Sequence, residues 1–272
     1  MKPEVSYIIS FYNSVHSLQL ILQALKQQTF THFEVLIADD GSKPEVVKDI
    51  EKIKPQFTFP ILHVWHEDRG WRKNTILNRS ILESTTEYLI FTDGDCIPHP
   101  QFIKEHLIHR CKGTVLTGRR VHLSEFVTKR LNTKKIEKKS LQSSFFLLSV
   151  LLRLFKKGAH VENGIYVKSK FIRRKLNKKD RGVLGSNFSI FKVDILGVNG
   201  FDERYTAPAV GEDTDLEFRL RLNGMKVKTL KHLAIQYHLY HEKLERKSQN
   251  KIIFEQTKRD RISYTPYGIK KT

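Results

Sequence analysis

The sequence predicts an α/β fold built on a mostly parallel central sheet with helices on both faces. Three observations carry that expectation. Between residues 5 and 115, short runs rich in β-branched and aromatic residues alternate with segments of helical apolar spacing. The strand-like runs are apolar almost throughout, as strands covered on both faces are. Four of them stop in polar groups: Ser10-Phe11-Tyr12-Asn13, Asp39-Asp40-Gly41-Ser42, Glu67-Asp68 and Asp93-Gly94-Asp95. Ligands of open α/β sheets bind outside the carboxyl ends of the strands, so four polar ends predict one crevice with a site in it.

The elements follow in order. Residues 5–12 read as a first strand and 14–28 as a helix with Ser14 as its N-cap. Residues 33–38 form a second strand, 44–53 a short helix after Pro44, and 61–65 a third strand. A helix over 73–84, a fourth strand over 88–92 and a helix over 101–109 complete this half. Residues 117–182 have poor periodicity and many lysines and arginines. Beyond them, 184–191 reads as a strand and 197–202 as a turn. Leu216, Phe218, Leu220 and Leu222 alternate as in a strand, but acids crowd the start of that segment and Asn223-Gly224 follows it. Those end signals predict a helix. Strands over 226–230 and 234–241 come next, and 242–272 reads as a peripheral helix and basic tail. The expected parts are thus 1–115, a basic insert 116–181, 182–242 completing the first domain, and the tail 243–272.

Composition narrows the function. The chain has 272 residues, 39% hydrophobic and 28% charged, which suits a folded protein with a sizeable core. It has no apolar run of about 18 residues and no signal-peptide pattern at its start. Two cysteines, Cys96 and Cys111, predict reduced, buried thiols and a cytoplasmic setting rather than a disulfide scaffold. Net charge is +19, and residues 117–181 hold 19 lysines and arginines against 4 acids. Such a block points to a polyanion: nucleic acid, anionic lipid or a phosphorylated glycan. Inside it, the apolar stretch 144–155 has basic flanks, and reads either as a helix packed over the core or as a contact with an anionic membrane surface.

Asp93, Asp95, His238 and His241 together offer oxygen and imidazole ligands, which suit Mn²⁺ or Mg²⁺. A metal there would bridge the phosphates of a nucleotide. Glu212 and Asp213 at a helix start either stabilise its dipole or supply a general base toward a hydroxyl. Arg69, Arg72 and Lys73 either meet a diphosphate, with Asn74 or Asn78 alongside, or form a basic helix N-terminus on the surface.

These motifs resemble the GT-A-fold, family 2-like glycosyltransferases of bacteria. The resemblance rests on Ile8 to Asn13, Leu36 to Ser42, Arg69-Gly70-Trp71-Arg72-Lys73 with Leu77-Asn78, and Asp93-Gly94-Asp95. Asn199-Gly200-Phe201-Asp202 with Gly211-Glu212-Asp213-Thr214-Asp215-Leu216 is similar to the C-terminal module of β-1,4-galactosyltransferases and chondroitin polymerase. The resemblance covers about residues 4–115 and 182–242 and implies a GT-A fold, to which the chain adds its own basic helical insert, and a metal-dependent, inverting transfer of a hexosyl or N-acetylhexosaminyl group. The donor would be a nucleotide sugar, most simply a UDP-sugar. The acceptor is not carried over from the resemblance; the basic insert suggests a hydroxyl of a growing surface glycan, lipid-linked or phosphorylated, as in lipopolysaccharide or capsule assembly at the inner membrane face.

The resemblance also implies roles. Ser10, Tyr12, Asp39, Asp40, Asp68, Arg72, Lys73 and Asp93 would hold the nucleotide. Asp95 and His241, with His238, would hold the metal, Mn²⁺ or Mg²⁺. Asp213 would deprotonate the acceptor and Glu212 would position it. Thr206-Ala-Pro-Ala-Val210 stands where relatives carry aromatics and glycines, so the acceptor platform departs from the pattern. The rival readings are a nucleic-acid-binding protein, motivated by the +19 charge, and a non-catalytic scaffold. The first leaves the acidic crevice unexplained, and the expectation is no nucleic-acid partner.

Overall fold

The computed structural model of the chain describes residues 2–143, 160–177, 182–207, 212–242 and 249–271. Its strands are β1 (Val5–Phe11), β2 (Phe33–Asp39), β3 (Ile61–Trp65), β4 (Tyr88–Asp93), β5 (Cys96–Pro98), β6 (Thr114–Thr117), β7 (Arg119–His122), β8 (Asn187–Phe191), β9 (Lys226–Thr229) and β10 (Ile235–His238). The central sheet has the order β3-β2-β1-β4-β8-β6-β9, and a second sheet the order β5-β10-β7. In the central sheet, β3, β2, β1 and β4 pair in parallel, while β8 runs antiparallel to both β4 and β6.

The helices used below are α1 (Val15–Leu25), α2 (Pro44–Ile53), α3 (Lys73–Glu83), α4 (Phe102–Ile108), α5 (Glu125–Thr128), α6 (Thr133–Glu137), α7 (Lys170–Leu176), α8 (Lys192–Leu196), α9 (Glu212–Leu222) and α10 (Gln249–Asp260). Side-chain alternation sorts β1 onto two cores. Tyr7, Ile9 and Phe11 join one cluster with Leu18, Ile21 and Leu25 of α1. Ile8 joins the other, with Ile76 of α3 and Leu216 and Leu220 of α9. Both faces are buried, which is why the strand is mostly apolar.

Several local expectations are corrected. Ser14 occupies the N-cap position of α1, but its hydroxyl donates to Ser17 Oγ at 2.7 Å rather than capping the helix. The segment 216–222 is helical, as its end signals predict. Its false strand alternation arises because Leu216 and Leu220 face the core while the Phe218 ring meets Phe254 of α10 edge-on. Asp215 is not a dipole-stabilising surface acid. It is fully buried, 2.8 Å from Arg219 Nε, and Arg219 also donates to the carbonyls of Val198 and Gly200. The chain end is fastened: Asn199 Nδ2 donates to Thr265 O and Lys270 O at 2.6 and 2.8 Å. Cys96 is buried as expected, but Cys111 is exposed. Among the described residues no helix is long and apolar enough to cross a membrane. The stretch 144–155 lies outside the described residues.

His106, on α4, is wholly buried between Ser189 Oγ at 2.7 Å and Asn187 Oδ1 at 3.2 Å. Burial pushes its pKa down to about 3, against a weaker opposing pull from Asn187. The folded ring stays neutral where an unfolded one, with a pKa near 6.5, takes a proton. That contribution to stability is whole above about pH 6.5 and is lost as the pH falls toward 3. We expect His106→Gln to flatten the acid side of the stability curve by up to about 1.4 kcal/mol per pH unit. Urea midpoints measured at stepped pH check this, and an unchanged slope would sink it.

Candidate active site

The carboxyl ends of β1, β2 and β4 open into a cleft of about 680 Å³. Register brings the acids together: Ser10 lies beside Asp93, and Phe11 beside Asp39. Two glycines make the close approaches possible. A Cβ on Gly94 would sit 2.8 Å from Ser10 O, so the Asp93–Asp95 turn packs directly on the end of β1. Gly41 has φ +91°, and a Cβ there would lie 2.6 Å from Asp68 Cα. The glycine after Asp40 thus lets the strand end containing Asp68 close on it.

On the β1–β2 side, Asp40 accepts the Arg72 backbone N–H at 2.9 Å, and its other oxygen meets His66 Nε2 at 2.8 Å. Asp68 accepts Gly70 N at 2.9 Å and Tyr12 Oη at 3.1 Å. Those bonds, Gly70 first, hold the exposed Asp68 carboxyl below its usual range. Ser10, Tyr12, Trp71 and Lys73 line the same wall. Asp39 does not line it. It is wholly buried and engaged by His63 Nε2 at 2.8 Å and Ser42 N at 2.8 Å, so it braces the β2 turn. Arg72 does not line the cleft either: its guanidinium donates to the Glu67 carbonyl. Asn74 and Asn78 are buried and donate to the carbonyls of Asp202 and Phe201, which removes them from any diphosphate. Arg69 pairs with Glu67 at the exposed surface.

At the centre, Lys73 Nζ lies 2.9 Å from Asp93 and 3.5 Å from Glu212. Burial opposes the charge on Lys73, but Asp93 and Glu212 outweigh it and hold its pKa well above the usual value. Burial raises the Glu212 carboxyl, and Lys73 offsets only part of that. Arg120 Nη1 reaches the other oxygen of Asp93 at 3.7 Å and donates to Ser186 Oγ at 3.1 Å.

The second sheet builds the far wall. Antiparallel pairing sets His238 across from Cys96, and parallel pairing sets it beside His122. Leu239 N donates to Asp95 O at 2.9 Å. His238 Nε2 and His241 Nε2 both point at Asp95 Oδ2, at 3.4 and 3.3 Å. Burial opposes the Asp95 charge, yet the two imidazoles outweigh it and hold the carboxyl far below its usual range. Asp95 also raises the His241 pKa, against partial burial. One carboxylate and two imidazole nitrogens are a donor set that fits a divalent cation. Cys96 also lies within ligand distance of Asp95 and His238. Burial and then Asp95 push its thiol well up, however, and Sγ donates to Asp95 Oδ1 at 3.2 Å.

Glu212 lines the cleft and Asp213 does not. Asp213 Oδ2 accepts Gly185 N at 3.1 Å, and its Oδ1 accepts Thr214 N at 2.8 Å. Gly211 and the preceding 208–210 lie outside the described residues. Sequence reasoning missed Arg120, His66 and Ser186. Arg120 sits in Arg119-Arg-Val-His122, whose alternation places only Val121 in the core. That pattern is visible in the sequence but hidden by the basic block around it.

Comparison with known proteins bears on this arrangement. Residues 6–187, well over half of the chain, match the family model of glycosyl transferase family 2. Residues 167–242 match the model described as the N-terminal domain of galactosyltransferase. Chondroitin synthase of Escherichia coli is 25% identical over 247 residues, 86% of this chain and 34% of that protein. Glycosyltransferase AglE of Haloferax volcanii is 35% identical over 106 residues, 38% of this chain and 34% of that protein. The chain therefore spans about a third of the length of these relatives. Among solved structures, S. aureus TarS 1-349 in complex with UDP-GlcNAc has a TM-score of 0.55 at 18% identity, covering 89% of this chain and 60% of that one. The mannosyltransferase PcManGT of Pyrobaculum calidifontis, in complex with GDP-Man and Mn2+, has a TM-score of 0.54 at 14% identity, covering 89% and 59%. These structures share the fold, a mixed α/β GT-A architecture around a mostly parallel sheet. By the match over residues 6–187, the chain belongs to glycosyl transferase family 2.

Proposed function

We propose that the protein is a metal-dependent, inverting glycosyltransferase that uses a UDP-sugar and extends a surface glycan. The observation that carries this reading is the Asp95–His238–His241 group at the end of the β4 turn, in a cleft walled by Asp40, Asp68 and Lys73. A phosphate approaching that many carboxylates is repelled unless a cation intervenes. Asp95, His238 and His241 would hold the cation, Mn²⁺ or Mg²⁺. When bound, it neutralises charge on the diphosphate of the donor. Ser10, Tyr12, Asp40, Asp68, Lys73 and Asp93 would hold the nucleotide and sugar. The complexes of two fold neighbours with UDP-GlcNAc and with GDP-Man and Mn2+ support a nucleotide-sugar donor.

The reaction is read as one displacement. An acceptor oxygen bonds to the anomeric carbon, the bond to the diphosphate breaks, and a carboxylate takes the hydroxyl proton. Asp213 is proposed as that base, with Glu212 positioning the acceptor. One observation favours exchanging the two: Glu212 faces the cleft with a raised pKa, closer to a working base. The acceptor is proposed to be a glycan or lipid-linked glycan, met at the cytoplasmic face of a membrane.

Calorimetric titration with UDP tests the donor site. We expect binding that requires Mn²⁺ and falls at least about tenfold in Asp95→Ala, in line with losses at metal sites. Equal binding with and without metal would overturn the metal reading. The base is assigned by comparing Asp213→Asn with Glu212→Gln. The variant lacking the base loses on the order of 10²–10⁴ in kcat. The other changes mainly the acceptor KM. A full loss in Glu212→Gln alone would transfer the role.

A further inference from the structure

We propose that the α7 side of the protein docks on an anionic lipid surface, inserting Phe171, Ile172 and Leu176 at the interface. This stands apart from the donor-site reading and does not rest on it. α7 buries no residue. It nevertheless presents Phe171, Ile172 and Leu176 to solvent, 67%, 48% and 51% exposed. At about 100° per residue these three fall within an arc of roughly 140° on the helix. Such an arc on a helix that contributes nothing to the core is expected to have a partner.

The helix is held in place despite burying nothing. Ser169 caps it by accepting Ile172 N. Arg173 Nη1 donates to the carbonyls of Val167 and Lys168 at 2.7 and 2.6 Å. Val167 N donates to His232 O at 3.0 Å, and Asn177 Nδ2 to Lys231 O at 3.3 Å. A fastened helix can present its apolar arc without folding anew on contact.

Charge decides what the arc meets. Lys170, Arg174 and Lys175 are exposed on the same helix, which carries no acid. Lys175 falls within the same arc, and its Nζ lies 4.5 Å over the Phe171 ring in a cation–π contact, so charge and apolar surface meet on one side of the helix. Lys228 is likewise exposed, on the edge strand β9. An RNA or a phosphorylated glycan would satisfy these cations and leave the three apolar side chains wet. A bilayer with anionic headgroups satisfies both. At about 1.5 Å per residue the helix is far too short to cross the hydrocarbon, so it lies in the interface.

The test is co-sedimentation of the full chain with phosphatidylcholine vesicles, with and without phosphatidylglycerol, at stepped salt. Wild type is compared with the triple variant Phe171→Ser, Ile172→Ser and Leu176→Ser. The triple variant keeps every charge, and circular dichroism checks that it folds. We expect binding only to the anionic vesicles, weakening with salt. We expect at least about a tenfold loss of partitioning in the triple variant. Equal binding of the triple variant overturns the proposal, as does equal binding to neutral vesicles. Failure to sediment at low salt also overturns it, and retention on an RNA oligonucleotide in that case would identify a nucleic-acid surface instead.

Discussion

Ionised carboxylates are expensive to take out of water, and the cleft gathers Asp40, Asp68, Asp93, Asp95 and Glu212 within about 680 Å³. Much of the surrounding structure provides each with a partner. Asp40 takes a helix-start amide and His66, and Asp68 takes Gly70 and Tyr12. Asp93 has Lys73 and Arg120, Glu212 shares Lys73, and Asp95 has two imidazoles. Lys73 is the keystone of this set. It is the first residue of α3, yet it joins β4 to the start of α9, which are far apart in sequence.

The two sheets divide the labour. The parallel strands β2 and β4, on either side of β1, deliver acids in register at their carboxyl ends. The small sheet β5-β10-β7 delivers imidazoles and Arg120 from the opposite side. Gly94 is the joint between them. It lets the turn lie against the Ser10 carbonyl, and β5 begins two residues later, paired with β10. The position of Asp95 between the sheets follows from that turn.

What was legible in the sequence depended on whether burial left a pattern. Strands β1, β2 and β4 are buried on both faces and read as apolar runs. Their acidic ends read as a site because nothing else explains charge at the end of a buried strand. Individual roles were less legible. Asp39 and Asp40 are neighbours in the same motif, but strand alternation turns one into the interior toward His63 and the other toward the cleft. Asn74 and Asn78 lie on the buried side of α3 and hold the 201–203 turn, which sequence spacing alone does not distinguish from the side bearing Lys73. β7 was missed because a four-residue strand with one buried apolar side chain has almost no periodicity to detect.

The +19 charge of the chain and the acid content of its cleft look contradictory until they are placed in space. Of the residues lining the cleft, Lys73 and Arg120 are the permanent cations, and both are drawn toward Asp93. The bulk of the positive charge therefore does not serve the cleft directly. Some of it stands on α7 and β9, where no acid of α7 neutralises it. Beyond a Debye length of about 8–10 Å, screening uncouples exposed charges from one another. One chain can then hold a cation-dependent acidic crevice and a basic outer side without either cancelling the other. On the proposed reading, the polyanion expected from composition is met on the outside of the molecule, and the phosphate expected from the strand ends inside the cleft.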